Sequence, residues 1–109
     1  MADVKPGTPA RGSESGRPVM ALLDLLGRRW TLRVLWELRS PADSFRDLQA
    51  RCDGMSSSVL SARLGELRDA GAVVAGADGA GYALTREGQK LLEALEPLDA
   101  WAKRWARRA

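Results

Sequence analysis

Ser56, Ser57, Ser58 and Ser61 place four hydroxyls within six positions, a density that serves either nucleophilic attack or hydrogen bonding to a molecule pressed against them. Attack needs a general base to take the hydroxyl proton, and the chain contains no histidine. Cys52, the one cysteine, stands between Arg51 and Asp53 with no base beside it. Carboxylates are scattered as helix caps and surface pairs. The glycines of 76–81 lack the lysine and the strand-loop-helix setting of a phosphate loop. One cysteine and no histidine also exclude a disulfide framework within the chain and every histidine-based or cysteine-cluster metal site. No catalytic residue, cofactor or metal site is expected, and the chain does not read as an enzyme.

The hydroxyls are then groups that bond a surface, and the segments around them say how they are held. Phe45 to Cys52 reads as a helix with Ser44 and Asp47 at capping-box spacing; Asp53-Gly54 is a turn; Ser56 to Ala70 is a second helix with Ser56 as N-cap and Gly71 at C′. Leu60, Leu64 and Leu67 recur at i, i+4, i+7 and make a buried stripe flanked by Val59. The opposite face carries Ser58, Ser61, Ala62 and Gly65, small side chains that let a helix backbone approach another surface closely. Val73-Val74, the glycine-rich 76–81 and Tyr82-Ala83-Leu84 then form a short hairpin. Helix, turn, helix and hairpin predict a mainly α fold with a small β wing, a winged helix-turn-helix that places its second helix in the major groove of double-stranded DNA. A serine-rich first turn on an ordinary solvated helix is the bland alternative.

In the DNA reading Ser56, Ser57, Ser58, Ser61 and Ala62 face the groove. Arg63, on the flank of the buried stripe, reaches either a phosphate or an internal partner, while Arg46 and the Arg28-Arg29 pair are candidates for backbone contact. The net charge of +3 suits a polyanionic partner, although charges this small are common elsewhere. The helix itself is balanced, with Arg63 and Arg68 against Glu66 and Asp69, so attraction to phosphate must come largely from neighbouring segments.

At 109 residues the chain is one domain in which association would help cover apolar faces. Residues 1–16, rich in Pro, Gly and Ser, read as a flexible arm ahead of a domain spanning 17–109. Val19, Leu22, Leu23 and Leu26 share a face of a first helix ended by Gly27, and a second helix runs from about Trp30 to Leu38. Ser40-Pro41 breaks it, and a short strand at 43–45 is expected to pair with the hairpin. Thr85 caps a final helix whose Leu91, Leu95, Leu98, Ala102 and Trp105 repeat at four and three, widened by Leu92 and Trp101, with a kink or restart expected at Pro97. Two tryptophans near the terminus of a small domain are costly to leave in water. Val19, Leu22, Leu23 and Leu26 with Leu95, Leu98, Trp101, Ala102 and Trp105 are therefore expected to form a homodimer interface. No apolar run approaches the roughly 20 residues of a membrane span and no leader is evident, so no membrane partner and a cytoplasmic location are expected.

Pro18-Val19, Asp24-Leu25-Leu26-Gly27-Arg28-Arg29-Trp30-Thr31-Leu32, Ser44-Phe45-Arg46-Asp47-Leu48, Gly54-Met55-Ser56, Val59-Leu60-Ser61-Ala62-Arg63-Leu64, Leu67 with Ala70-Gly71, Tyr82-Ala83-Leu84-Thr85 and Gly88 together resemble the HxlR-type winged-helix transcriptional regulators of the MarR-like superfamily. The resemblance implies a dimeric bacterial repressor or activator, repressor being the expectation, that binds a short inverted repeat with helix 56–70 in the major groove. Many members place a redox-sensing cysteine directly before the Pro-Val pair, where this chain has Arg17, and the segment 76–81 carries no Arg or Lys to reach the minor groove. Cys52 aligns with an apolar position and reads as a small buried hydrophobe rather than a redox switch. Two alternatives stay open: a winged helix used on protein rather than DNA, and a ligand-responsive regulator in which Trp30, Trp36, Trp101 and Trp105 line an effector pocket at the dimer interface.

Overall fold

Pro18, with its fixed φ, opens α1 (Pro18–Leu26), and Gly27 ends it in a right-handed conformation (φ −78°) rather than the left-handed cap that glycine often supplies. The computed structural model describes residues 17–77 and 80–108; the expected arm over 1–16 lies outside them, as do Asp78 and Gly79 of the wing. α2 (Thr31–Glu37) begins after Trp30, which takes φ 76°. A left-handed non-glycine residue costs roughly 1 kcal/mol, so packing must hold it: the Trp30 indole lies against the core and the Arg29 guanidinium sits 5.2 Å from its ring.

α3 (Phe45–Arg51) starts at Ser44, whose Oγ accepts the Asp47 N–H at 3.0 Å. The other half of the capping box is re-aimed, because the Asp47 carboxylate accepts the N–H of Asp43 at 3.0 Å instead of that of Ser44. The strand expected at 43–45 is therefore replaced. Asp43 and Ser44 are spent on the cap, and pairing with the hairpin shrinks to one bridge in which Ala42 and Tyr82 exchange both backbone bonds at 2.9 Å.

Asp53 (φ 57°) and Gly54 (φ 70°) turn the chain into α4 (Ser57–Asp69), capped by Ser56 Oγ on the Val59 N–H at 3.2 Å and ended by Gly71 at φ 80°. β1 (Val73–Ala75) and β2 (Tyr82–Leu84) pair antiparallel with Val73 opposite Leu84. Thr85 joins three elements: its N–H donates to Ala72 O, its hydroxyl donates to Gly71 O at 2.5 Å, and the same oxygen accepts the Gly88 N–H at 3.0 Å as α5 (Arg86–Arg108) begins. Gly88 lies directly against the backbone of Ala72, a crossing that any Cβ would block.

The core is one cluster in which Val34, Leu35, Leu48, Leu60 and Leu67 are fully buried. Shortening any one of the leucines to alanine removes about 2–5 kcal/mol. Cys52 belongs to this core at 1% exposure, and burial pushes its thiol pKa up, as suits a small hydrophobe. α5 packs Leu91, Leu92 and Leu95 on the core, then continues through Pro97 as one helix with every residue from Glu96 to Arg108 exposed. The expected restart does not occur. Proline costs the Glu93 carbonyl its partner, but Glu93 is exposed, so water can reach that oxygen. No helix among the described residues is long and apolar enough to cross a membrane.

Candidate nucleic-acid interface

The inner stripe Leu60, Leu64 and Leu67 fastens α4 to the core and turns Ser57, Ser58 and Ser61 outward to solvent. Ser56, also exposed, is partly committed: its Oγ caps Val59 and lies 3.4 Å from Ser58 Oγ. Ala62 and Gly65 are half-buried on the same side. A Cβ added at Gly65 would meet no atom within 4 Å. Its missing side chain therefore serves no internal packing, and what it leaves is a flat strip of helix open to close approach.

The turn before α4 is clamped from behind. Arg33 of α2 donates from Nη2 to Arg51 O at 2.8 Å and to Asp53 Oδ2 at 3.0 Å, while its Nε donates to Glu37 at 2.9 Å. Glu37 and then Asp53 raise the Arg33 pKa above its ordinary value. Arg51 closes the end of α2 by donating to Glu37 O, Ser40 O and Pro41 O, and pairs with Asp47 at 2.9 Å. Gln49 Nε2 donates to Met55 O at 2.9 Å and ties α3 to the entry of α4. Reading the sequence missed both arginine clamps. The i, i+4 pairs Arg33–Glu37 and Asp47–Arg51 were the signal that could have found them.

The arginines proposed for phosphate divide. Arg46 and Arg29 are exposed. Arg28, expected on the DNA backbone, is instead an internal group: Nη1 lies 2.8 Å from Glu66 Oε2 and Nη2 3.6 Å from Asp24, with only 19% of its side chain exposed. Arg63, balanced between phosphate and internal partner, takes the internal one, 3.3 Å from Glu66 Oε1. Both sit where α4 turns its flank toward the body, and there the Glu66 carboxylate can replace part of the water each guanidinium loses.

The expected interface residues also separate. Leu26 is part of the chain's own core at 7% exposure, while Leu22 and Leu95 pack against that core and stay half-buried. Val19, Leu23, Leu98, Trp101 and Trp105 are all more than half exposed, and Ala102 is exposed with them. Trp36 borders a groove of about 600 Å³ between α2 and α5, together with Leu32, Leu92 and Leu98; Trp30 packs on the core; Trp101 and Trp105 stack on each other at 6.1 Å.

Against known proteins, residues 25–109 match the model of the HxlR-like helix-turn-helix family. MJ0925, an HTH-type transcriptional regulator of Methanocaldococcus jannaschii, is 31% identical over 90 residues, covering 79% of this chain and 83% of that one. A crystal structure described as a possible HxlR family transcriptional factor from Thermoplasma volcanium is 31% identical, covers 83% of this chain and 85% of its own, and superposes with a TM-score of 0.69. Quinone-bound YodB of Bacillus subtilis is 26% identical with a TM-score of 0.71, covering 79% of this chain and 94% of that one.

Proposed function

The chain belongs to the HxlR-like helix-turn-helix family of transcriptional regulators, and from that premise we propose that it binds an inverted repeat in double-stranded DNA as a homodimer and acts as a repressor. α4 enters the major groove with Ser57, Ser58, Ser61 and Ala62 toward base edges, while Arg46 and Arg29 hold phosphates. The observation that carries this reading is the outer face of α4, where exposed hydroxyls border an unfilled strip at Gly65. Residues 17–109 supply both functions in this reading. The dimer rests on exposed Val19 and Leu23 of α1 and on Leu98, Trp101 and Trp105 of α5, apolar surface that a single small domain seldom leaves in water.

The test is fluorescence anisotropy against a duplex selected by the protein from a randomised pool and against a scrambled duplex, over several salt concentrations. Tighter binding to the selected duplex with two chains per site supports the proposal. Weak, equal and salt-abolished binding to both rejects it in favour of a protein partner, a reading to which the internal pairing of Arg63 lends support because it leaves Arg68 as the exposed cation of α4. The quinone bound in YodB is a reason to include small molecules as effectors in the same titration.

A further inference from the structure

Glu66 lies on α4 one turn beyond Ala62, with 11% of its side chain exposed and both carboxylate oxygens facing guanidinium groups. Oε2 accepts from Arg28 Nη1 at 2.8 Å; Oε1 lies 3.3 Å from Arg63 Nη1 of the same helix. Arg28 belongs to the link between α1 and α2, and its other terminal nitrogen is 3.6 Å from Asp24 of α1. Carboxylate, guanidinium and carboxylate thus form a continuous polar chain from α1 to the last turn of α4. α1 packs on α2 and α2 packs on α4, so this chain bypasses the apolar route between the two helices.

The two kinds of contact constrain α4 differently. Burial of Leu60, Leu64 and Leu67 keeps the helix on the core but is non-directional, so it tolerates small rotations and slides. A short charge-assisted hydrogen bond is directional and fixes one setting. Buried ion pairs contribute little to net stability for their number, and their best-attested use is to specify register.

We infer that Glu66 is a positioning residue for DNA recognition, and that through Arg28 it couples the attitude of α4 to the placement of α1. The inference rests on the assignment of α4 to the groove. Since Val19 and Leu23 of α1 are more than half exposed, whatever packs on α1 acts at the far end of this coupling.

The experiment compares the wild-type chain with Glu66→Gln and Arg28→Lys, and with a double variant, Arg28→Met with Glu66→Leu, that replaces the pair by apolar groups and is expected to stay folded. Measured for each are the ratio of affinities for a duplex selected by the wild-type chain and a scrambled duplex, the salt slope and the melting temperature. Glu66→Gln and the double variant are expected to lose about tenfold in the ratio, with affinity for the scrambled duplex and the salt slope unchanged. Arg28→Lys, which keeps a cation within reach, retains most of the ratio. A lowered melting temperature with the ratio intact in both variants would make the network purely structural and overturn the inference. A salt slope reduced by about 1 in the double variant would overturn it too, by showing that Arg28 contacts phosphate. If the wild-type chain selects no duplex at all, the groove assignment fails first, and this inference falls with it.

Discussion

Arg33 Nη2 lies 3.0 Å from Asp53 Oδ2, so α2 grips the turn between α3 and α4 at a residue already held in the left-handed region. Asp53 is 81% exposed at its side chain, and an ion pair so open to solvent is screened by water and adds little to stability. The backbone conformation matters more. Asp53→Gly, which removes the pair but relieves φ 57°, is expected to leave stability within about 0.5 kcal/mol of the parent, whereas Asp53→Ala loses about 1 kcal/mol. Urea unfolding of the two variants checks this, and equal losses would show that the pair, not the backbone, governs the turn.

Two glycines in helices are expected to respond in opposite directions. Gly65→Ala adds a methyl to open space on α4 and raises stability by about 0.5–1 kcal/mol through helix propensity alone. Gly88→Ala drives a Cβ into the Ala72 backbone where α5 crosses the start of β1, and costs about 1–3 kcal/mol. Gly65→Leu separates packing from recognition: it should fold normally yet bind the selected duplex more weakly, because the strip it fills is the one that approaches DNA. Thermal melts and anisotropy on the same preparations provide both readings.

Phosphate contacts and base contacts leave different signatures. Arg46→Ala and Arg29→Ala are each expected to weaken binding to all duplexes alike and to lower the salt slope by about 1. Ser58→Ala and Ser61→Ala should leave the slope as it is and change which duplexes are preferred. A slope unmoved by both arginine variants would remove Arg46 and Arg29 from the interface.

The Asp47 carboxyl is held below the ordinary aspartate range, first by the Asp43 N–H and then by Arg51. A carboxyl whose pKa is lower in the folded than in the unfolded chain stabilises the fold above its unfolded value, and that contribution fades as pH falls through its folded value. Wild-type stability should therefore drop on acidification below about pH 4 more steeply than that of Asp47→Asn, whose side chain does not titrate. Parallel slopes of unfolding free energy against pH for the two proteins would show that Asp47 carries no such linkage.

How much was readable beforehand follows from the range of the forces involved. The Ser44 and Ser56 caps, the Asp53-Gly54 turn, the Leu60, Leu64 and Leu67 stripe and Gly71 involve partners within a few positions of one another, and each stands where its spacing placed it. The strand at 43–45 failed for an equally local reason, since Asp47 competes for the Asp43 N–H. The restart expected at Pro97 does not occur, because the cost of a proline depends on whether the orphaned carbonyl meets water, which is a matter of tertiary exposure.

The sequence by itself determined the winged helix-turn-helix and the hydroxyl-bearing face of α4, because caps, turns and period-3.6 stripes act between neighbours along the chain. Only the tertiary structure decided which arginines look outward. Arg28 and Glu66 are 38 positions apart, and a guanidinium near the surface chooses between water, phosphate and a distant carboxylate according to what folding brings within 3 Å of it. The same holds for Leu26 against Leu23. They sit on one helix with the same side chain, yet one is buried in the core and the other is exposed, because the face of α1 that meets α2 is settled by packing across the whole core.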